Sequence, residues 1–398
     1  MSHLTNKNIV LGVSGSIAAY KAPDIVRRLQ DLGAEVRVIL TQGGAQFITE
    51  LSLQATSKNK VHDNLWDKEA ELSMGHIELA KWADALLIAP ASANTISNIA
   101  AGKACDLLSS VILASDCPIL IAPAMNQQMY ASISVQANLA TLVQRDIQII
   151  NPEHGVQACG DIGEGRLPES DKIAKQVGLM FQSTKLSGKK VLITLGATIE
   201  AIDPVRYLSN HSSGKMGSAL AEACIEAGAQ VTLVAGNVSV ELNQKAEIIS
   251  ATTAEKMHQS VMKNINGQDI FIACAAVSDY SIKNPENHKI KKSNQTLTIE
   301  LTPTKDILKE VCKLDKKPIC IGFAAETQNL LENAQNKLNN KDCDAIILND
   351  VSNADLGFKS DKNEVIFIDQ KSNIKLAKNS KQKLGRKIIK IISEKFYK

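Results

Sequence analysis

The sequence predicts an α/β protein made of two doubly wound, Rossmann-like domains in tandem, the second carrying a β-ribbon arm. Three observations predict this. Short β-branched runs alternate with helical stretches through the first half, which is the rhythm of βαβ units around a parallel sheet. A polar interruption, QSTKLSGK over residues 182–189, then breaks the pattern, and the strand, loop, helix rhythm restarts at Lys190. At 398 residues the chain is too long for one ordinary core, so it divides at 1–189 and 190–398.

In the first half the strands are Ile9–Val13, Glu35–Leu40, Ala85–Ala89 and Ile119–Ala122, with a helix pattern over Ala18–Leu32. The segment GVSGSIAAYK (Gly12–Lys21) joins the first strand to that helix. It either holds an anion on its backbone N–H groups and the Ser16 hydroxyl, or is a tight Gly-Ser turn that packs helix on strand. It is not GxGxxG, and the second strand runs into Thr41 instead of an acidic residue for an adenosine ribose, so a mononucleotide is favoured over a dinucleotide. PASANT (Pro90–Thr95) and PAMN (Pro123–Asn126) each follow a buried strand. Singly each reads as a helix cap, and together they line the sheet edge where such folds bind ligands. GVQACGDIGEGR (Gly155–Arg166) is too glycine-dense for helix or strand and reads as a mobile lid. Its Cys159 is either a reactive group or an incidental thiol.

The second half opens with a strand at Lys190–Thr194, a helix at Ser218–Ala227 and strands at Val231–Ala235 and Ile270–Ala275. Thr296–Leu301 alternates polar and apolar residues and reads as a ribbon strand, inserted as a hairpin arm. The stretch SSGK (Ser212–Lys215) is not a P-loop, because that motif needs Gly at 209 and Ser or Thr at 216, where the chain has Ser209 and Met216. At a helix start it suits a phosphate or triphosphate, or is a loop with a serine cap. AAVSDY (Ala275–Tyr280) sets Asp279 at the sheet edge, where it would bind a ribose or Mg2+, and the charge run HKIKK (His288–Lys292) follows. GFAAET (Gly322–Thr327) and NDVS (Asn349–Ser352) mark two further strand ends.

Composition narrows the function. Hydrophobic content of 44% and charged content of 22% are those of a globular protein. A net charge of +3 with one short basic cluster, Lys289, Lys291 and Lys292, argues for a phosphorylated small molecule over DNA or RNA. Eight cysteines without CxxC or Cys/His spacing suggest neither a disulfide framework nor a structural metal. No signal-type N-terminus and no membrane-length apolar run is seen, so the expected location is the cytoplasm, with no membrane and no nucleic acid as partner.

In order, GSIAAYK, PASAN and PAMN make the first half resemble the flavin-dependent cysteine decarboxylases. The resemblance implies FMN held at Gly15, Ser16, Ile17, Thr41, Ser92, Ala93, Asn94 and Thr95, with Ala124 beside it. It also implies His76, in MGHIE (Met74–Glu78), as the active-site base, Asn126 as the grip on the substrate carboxylate, and Cys159 as the acid that returns a proton. The second half resembles phosphopantothenate-cysteine ligase, the other half of the bacterial bifunctional coenzyme A proteins. That implies CTP at Asp279, Lys289, Lys305, Asp306, Ile307, Leu308, Phe323, Lys337 and Lys341, phosphopantothenate at Arg206 and Asn210, catalytic roles for Asn210 and Lys289, and Mg2+ near Asp279. Lys337 and Lys341, four apart, share a helical face. The chain departs from the family at Ala197, Ser278 and Leu167, where Pro, Ala and Met are usual, and every polar site residue stays in place.

The implied chemistry fits these parts. A carboxylate on a saturated carbon beside nitrogen has no electron sink, and a flavin supplies one by oxidising the thiol carbon. A carboxylate is also a poor acyl donor until activated, which CTP achieves. Relatives assemble as trimers through the flavin half and dimers through the ligase half, implying a homo-oligomer and up to a dodecamer. Two other readings are a flavin prenyltransferase and a non-catalytic flavin-binding regulator of the Hal3 type; His76, Asn126 and Cys159 together argue for the enzyme.

Overall fold

The structure, a computed structural model, describes residues 4–66, 75–291, 296–326, 329–350 and 360–397. Met74, Lys292, Thr327, Val351 and Ser352 of the motifs above lie outside them. The chain forms two compact units, Met1–Phe181 and Gln182–Lys398.

The first unit runs β1 (Asn8–Val13), a 3-10 turn (Ile17–Lys21), α1 (Ala22–Asp31), β2 (Glu35–Leu40), α2 (Glu50–Ser57), β3 (Val61–His62), α3 (Gly75–Trp82), β4 (Ala85–Ala91), α4 (Ala93–Ala100), α5 (Leu107–Ala114), β5 (Ile119–Pro123), α6 (Gln127–Ala131), α7 (Ile133–Gln144), β6 (Gln148–Ile149), β7 (Glu153–Val156), β8 (Ile162–Arg166) and α8 (Ser170–Met180). Its sheet has the order β3-β2-β1-β4-β5-β6, and every neighbouring pair is parallel. Helices cover both faces, which is why β4 is buried at all of its positions and reads as one apolar run. Val26, Leu29 and Ile173 pack on one face, and Ile96, Val111 and Leu142 on the other. The order reverses between β1 and β4, which opens a crevice at their C-terminal ends.

Two expectations need correcting here. The helix predicted over Ala18–Leu32 begins only at Ala22, after the 3-10 turn, with a proline in its first turn, where a missing N–H leaves no hydrogen bond unmade. The segment 155–166, predicted to be neither helix nor strand, is a β-hairpin of β7 and β8. Its glycines permit the pairing instead of opposing it. Gly165 has φ +131°, and a Cβ there would stand 2.3 Å from the Met125 carbonyl. Met125 N–H donates to the Gly165 carbonyl at 3.0 Å, a backbone approach that a side chain would block.

The second unit runs β9 (Lys190–Leu195), β10 (Ile199–Ala201), β11 (Tyr207–Ser209), α9 (Lys215–Glu226), β12 (Gln230–Ala235), β13 (Glu247–Ser250), α10 (Ala254–Asn264), β14 (Ile270–Ala273), β15 (Tyr280–Ile282), β16 (Leu301–Pro303), α11 (Ile307–Cys312), β17 (Ile319–Glu326), α12 (Leu330–Lys341), β18 (Ala345–Asp350), β19 (Lys362–Asp369), β20 (Asn373–Ser380) and α13 (Lys381–Phe396). Eight strands order as β13-β12-β9-β14-β17-β18-β19-β20. The first six are parallel, and β19 and β20 extend the edge as an antiparallel hairpin that the sequence reading did not foresee. The reversal between β9 and β14 again makes a crevice. α9 and α13 cover one face around Leu220, Leu384 and Ile388, and α10, α11 and α12 cover the other around Met257, Val311 and Leu338.

The ribbon arm is the antiparallel pair β15 and β16. Its second strand starts at Leu301, not at Thr296: Leu297 and Ile299 are exposed and have no facing strand, so their alternation matches no pairing among the described residues.

Candidate active sites

A cavity of about 470 Å³ lies at the C-terminal ends of β1, β4 and β5 in the first unit. This is within the range of about 300–1,000 Å³ usual for small-ligand pockets. Gly15, Ser16, Ile17, Ser92, Ala93, Ala124 and Asn126, all named above as candidate site residues, line it. Its rim is built by close backbone packing. Gly15 and Gly43 are so near that a Cβ on Gly15 would stand 3.1 Å from Gly43 Cα, pressing the loop after β1 onto the loop after β2. Buried Ser14 joins β1 to β4: its hydroxyl donates to the Pro90 carbonyl at 2.8 Å and accepts from Ser92 N–H at 2.8 Å. Ser92 in turn caps α4 through Thr95 N–H at 3.3 Å.

Three expected residues stand behind this rim. Thr41 donates to the Val13 carbonyl at 3.2 Å and accepts from Gly44 N–H at 3.1 Å, so its hydroxyl fixes the loop and the residue does not line the cavity. Asn94 and Thr95 lie on α4 and are likewise absent from the lining, Thr95 contacting Ser92 Oγ at 3.1 Å.

The cavity mouth brings together two residues far apart in sequence. Asn126 caps α6 by accepting from Gln128 N–H at 2.8 Å, and it also lines the cavity. Its amide nitrogen points across to the turn of the β7–β8 hairpin, 3.4 Å from Cys159 Sγ and 2.9 Å from Asp161 Oδ2. Cys159 Sγ donates to the same Asp161 oxygen at 3.4 Å. Cys159 is exposed at the hairpin tip and lines the cavity. Asp161 was missed, although it stands two residues beyond Cys159 in the same motif. Lys21, the last residue of the first motif, was missed as well. It lines the cavity and donates to Glu169 at 3.0 Å, and Arg166 donates to the same oxygen at 3.0 Å. The Lys21 hydrogen bond chiefly holds the Glu169 carboxyl below its ordinary range.

His76, half-buried in the first turn of α3, does not line this cavity.

In the second unit a cavity of about 190 Å³ lies beside β14 and β17, lined by Asp279, Lys305, Asp306, Ile307, Leu308, Phe323, Lys337 and Lys341. This is smaller than the roughly 300 Å³ at which small-ligand pockets usually begin. Lys337 and Lys341 face it together from α12, as their spacing implied. Lys337 Nζ donates to the Phe323 carbonyl at 2.7 Å, and Lys341 Nζ pairs with Asp306 at 2.7 Å. Burial pushes the Asp306 carboxyl up, but the bonds from Lys341 and from Lys309 N–H outweigh it and the group is held low. Asp306 also caps α11.

Arg206, in the turn between β10 and β11, and Asn210, just after β11, do not line this cavity, and neither does Lys289. Asp203, fully buried in its side chain, accepts from the backbone N–H of Val205 and Arg206 at 2.8 Å each, from Ile290 N–H at 3.1 Å and from Arg206 Nε at 2.9 Å. Burial alone would raise the Asp203 carboxyl, yet these donors bring it well below the carboxylate range. Arg206 also donates to the Ile290 carbonyl at 2.8 Å, so it clamps the loop that carries exposed Lys289. Asn210 Nδ2 donates to the Ala276 carbonyl at 3.1 Å. Ser212, Ser213, Gly214 and Lys215 are not in the cavity lining: Gly214, with φ +79°, caps α9 without a side-chain bond, and Lys215 pairs with Asp361. Among the described residues no group of three or more His, Cys, Asp or Glu is placed to hold a metal, and no helix is long and apolar enough to cross a membrane.

Comparison with known proteins gives this geometry a lineage. Residues 1–181 match the model of the flavoprotein family, and 186–396 match that of the DNA/pantothenate metabolism flavoprotein C-terminal domain. The coenzyme A biosynthesis bifunctional protein CoaBC of Haemophilus influenzae is 47% identical over 397 residues, covering 99% of this chain and 99% of its own. That of Escherichia coli K12 is 46% identical over 391 residues, covering 97% and 96%. A crystal structure of the C-terminal domain of such a protein is 36% identical, with TM-score 0.46, covering 53% of this chain and 97% of its own. With both halves matched in order and relatives matched end to end, the chain belongs to the family of bifunctional coenzyme A biosynthesis proteins, enzymes that join a flavoprotein decarboxylase domain to a ligase domain.

Proposed function

We propose that residues 1–189 decarboxylate phosphopantothenoylcysteine with FMN bound in the first cavity, and that residues 190–398 form that compound from 4'-phosphopantothenate and cysteine using CTP. The observation that carries the first half is the meeting of Asn126 and Cys159 at the cavity mouth. Site residues suit a flavin: backbone and hydroxyl groups at Gly15, Ser16 and Ser92 for its phosphate end, and the apolar walls Ile17, Ala124, Met125 and Leu167 for its ring. Bound FMN supplies the electron sink that the substrate's saturated carbon lacks.

The chain's own residues do the rest. Asn126 presents an N–H to the substrate carboxylate and fixes the direction of the bond to be broken. The hairpin forms one wall of the cavity, and Cys159 holds the proton that the product carbon receives. His76 is the base. Because it does not line the cavity of its own chain, we assign it to the site of another copy in a homotrimer. Exposed Ile17, Tyr20, Phe47 and Met129 around the cavity give such a copy an apolar surface to cover.

In the ligase half the phosphopantothenate carboxylate attacks the α-phosphate of CTP, releasing pyrophosphate and forming an acyl-cytidylate, and the cysteine amine then displaces CMP. Lys289, Lys337 and Lys341 offset the phosphate charge, and Asn210 and Arg206 position the acyl partner. Asp279 is the carboxylate that would help hold Mg2+, which would supply positive charge against the nucleotide phosphates.

The test is spectral and chemical. Purified protein incubated with FMN takes on flavin absorbance, releases pyrophosphate when given 4'-phosphopantothenate with CTP but little with ATP, and releases CO2 from phosphopantothenoylcysteine. A colourless protein without cytidine preference contradicts the proposal.

A further inference from the structure

We propose that Asp161 is an internal stand-in for the substrate's carboxylate, so that only a ligand bringing a carboxylate of its own frees Asn126 and Cys159 to act. The inference rests on the decarboxylase reading of the first cavity. Asn126 Nδ2 reaches Asp161 Oδ2 at 2.9 Å, a normal charge-assisted bond, while its contact to Cys159 Sγ is the longer 3.4 Å. The Asn126 side-chain oxygen is held by Gln128 N–H at 2.8 Å. The amide therefore cannot turn over, and its N–H end is what any carboxylate at the mouth must meet. Asp161 already occupies it.

The same Asp161 oxygen accepts from Cys159 Sγ at 3.4 Å, so one carboxylate gathers both groups assigned to the substrate. Its position is set by the turn. Gln157 N–H donates to the Asp161 carbonyl at 2.8 Å, and the Gln157 side chain accepts from Gln127 N–H at 3.0 Å and donates to the Glu164 carbonyl at 3.2 Å. The hairpin tip is thereby tied to the loop that bears Asn126.

An arriving substrate carboxylate exchanges one charge-assisted bond on Asn126 for another and releases Cys159 from Asp161. A ligand that arrives without a carboxylate, such as free 4'-phosphopantetheine, cannot make that exchange and leaves Cys159 tied, whereas the species formed by loss of CO2 in the site meets a Cys159 already released. Asp161 is thus a positioning residue that sets specificity for a carboxylated ligand, acting through Asn126 and Cys159.

The test compares two ligands on the FMN-loaded full-length protein by titration calorimetry: the phosphopantothenoylserine analogue, which keeps the carboxylate and lacks the thiol, and 4'-phosphopantetheine. Asp161→Ala is expected to bind the analogue roughly tenfold more tightly, since the lost competitor is one charge-assisted hydrogen bond, and to bind phosphopantetheine within about twofold of the parent. Asp161→Asn, which keeps the shape and a neutral acceptor, gives a smaller gain in the same direction, and retained flavin absorbance shows that each variant is folded. Unchanged or weaker binding of the analogue, or equal tightening of both ligands, overturns the proposal. If the flavin-loaded parent binds neither ligand, the decarboxylase reading falls and takes this one with it.

Discussion

Asn126 Nδ2 stands 3.4 Å from Cys159 Sγ, across a sequence separation of 33 residues. The contact joins the helix cap after β5 to the tip of a hairpin, at the mouth of the first cavity.

If Cys159 delivers the proton that completes the product, Cys159→Ser stops the reaction late. Carbon dioxide is still released, but the organic product lacks two hydrogens relative to 4'-phosphopantetheine, and formation of phosphopantetheine falls by about 10²-fold or more. Mass spectrometry of single-turnover mixtures distinguishes the two products. Asn126→Ala, by contrast, lowers CO2 release itself, and pyrophosphate release by the ligase half is unaffected in both variants.

Assigning His76 to a neighbouring copy makes a mixing experiment decisive. Pure His76→Asn and pure Cys159→Ser proteins each form little phosphopantetheine. Oligomers reassembled from both regain a fraction of the parent rate, because some sites then combine His76 of one copy with Cys159 of another. No recovery after verified mixing contradicts the shared site.

Lys337 faces the second cavity and spans to the Phe323 carbonyl. Lys337→Ala removes a cation beside the nucleotide and leaves that carbonyl without its donor. Loss of one charged contact, about 1.5–3 kcal/mol, raises the KM for CTP roughly tenfold to a hundredfold, with decarboxylation of added phosphopantothenoylcysteine unchanged. Initial-rate pyrophosphate release against CTP concentration measures it.

The buried Asp203 carboxyl predicts a pH dependence. Its folded value lies below the unfolded value of about 3.9, so its contribution to stability is complete above that pH. As pH falls below it, the unfolded chain takes up a proton that the folded carboxylate refuses, and stability is lost until the folded group also protonates. Asp203→Asn therefore lowers the urea midpoint of the second unit at pH 7, and the difference from the parent shrinks in acid. A difference that grows in acid contradicts the assignment.

Much of this architecture was legible in the residues. Fully buried parallel strands such as Ala85–Ala91 announce themselves as unbroken apolar runs, and the small polar residues after them mark the ligand edge. Less legible was whatever depends on contacts across the fold. The β7–β8 hairpin looked like a loop because its glycines serve an approach to Met125 that local propensity does not encode. Thr41 stands at a strand end, and the bond its hydroxyl donates to the Val13 carbonyl, 28 residues away, could not be read from its neighbours in sequence. Asp161 passed unnoticed because its partner, Asn126, is 35 residues away. Lys337 and Lys341 were implied by the family resemblance, and that they share a helical face was legible from their spacing, since a helix face is a local property.

The most direct measurement is a one-pot conversion: FMN-loaded protein, 4'-phosphopantothenate, cysteine, CTP and Mg2+, with products followed by mass. The account predicts 4'-phosphopantetheine, CMP, pyrophosphate and CO2 in equal amounts, with phosphopantothenoylcysteine accumulating when FMN is stripped. Absence of phosphopantetheine from fully loaded protein, or no phosphopantothenoylcysteine on flavin removal, contradicts it.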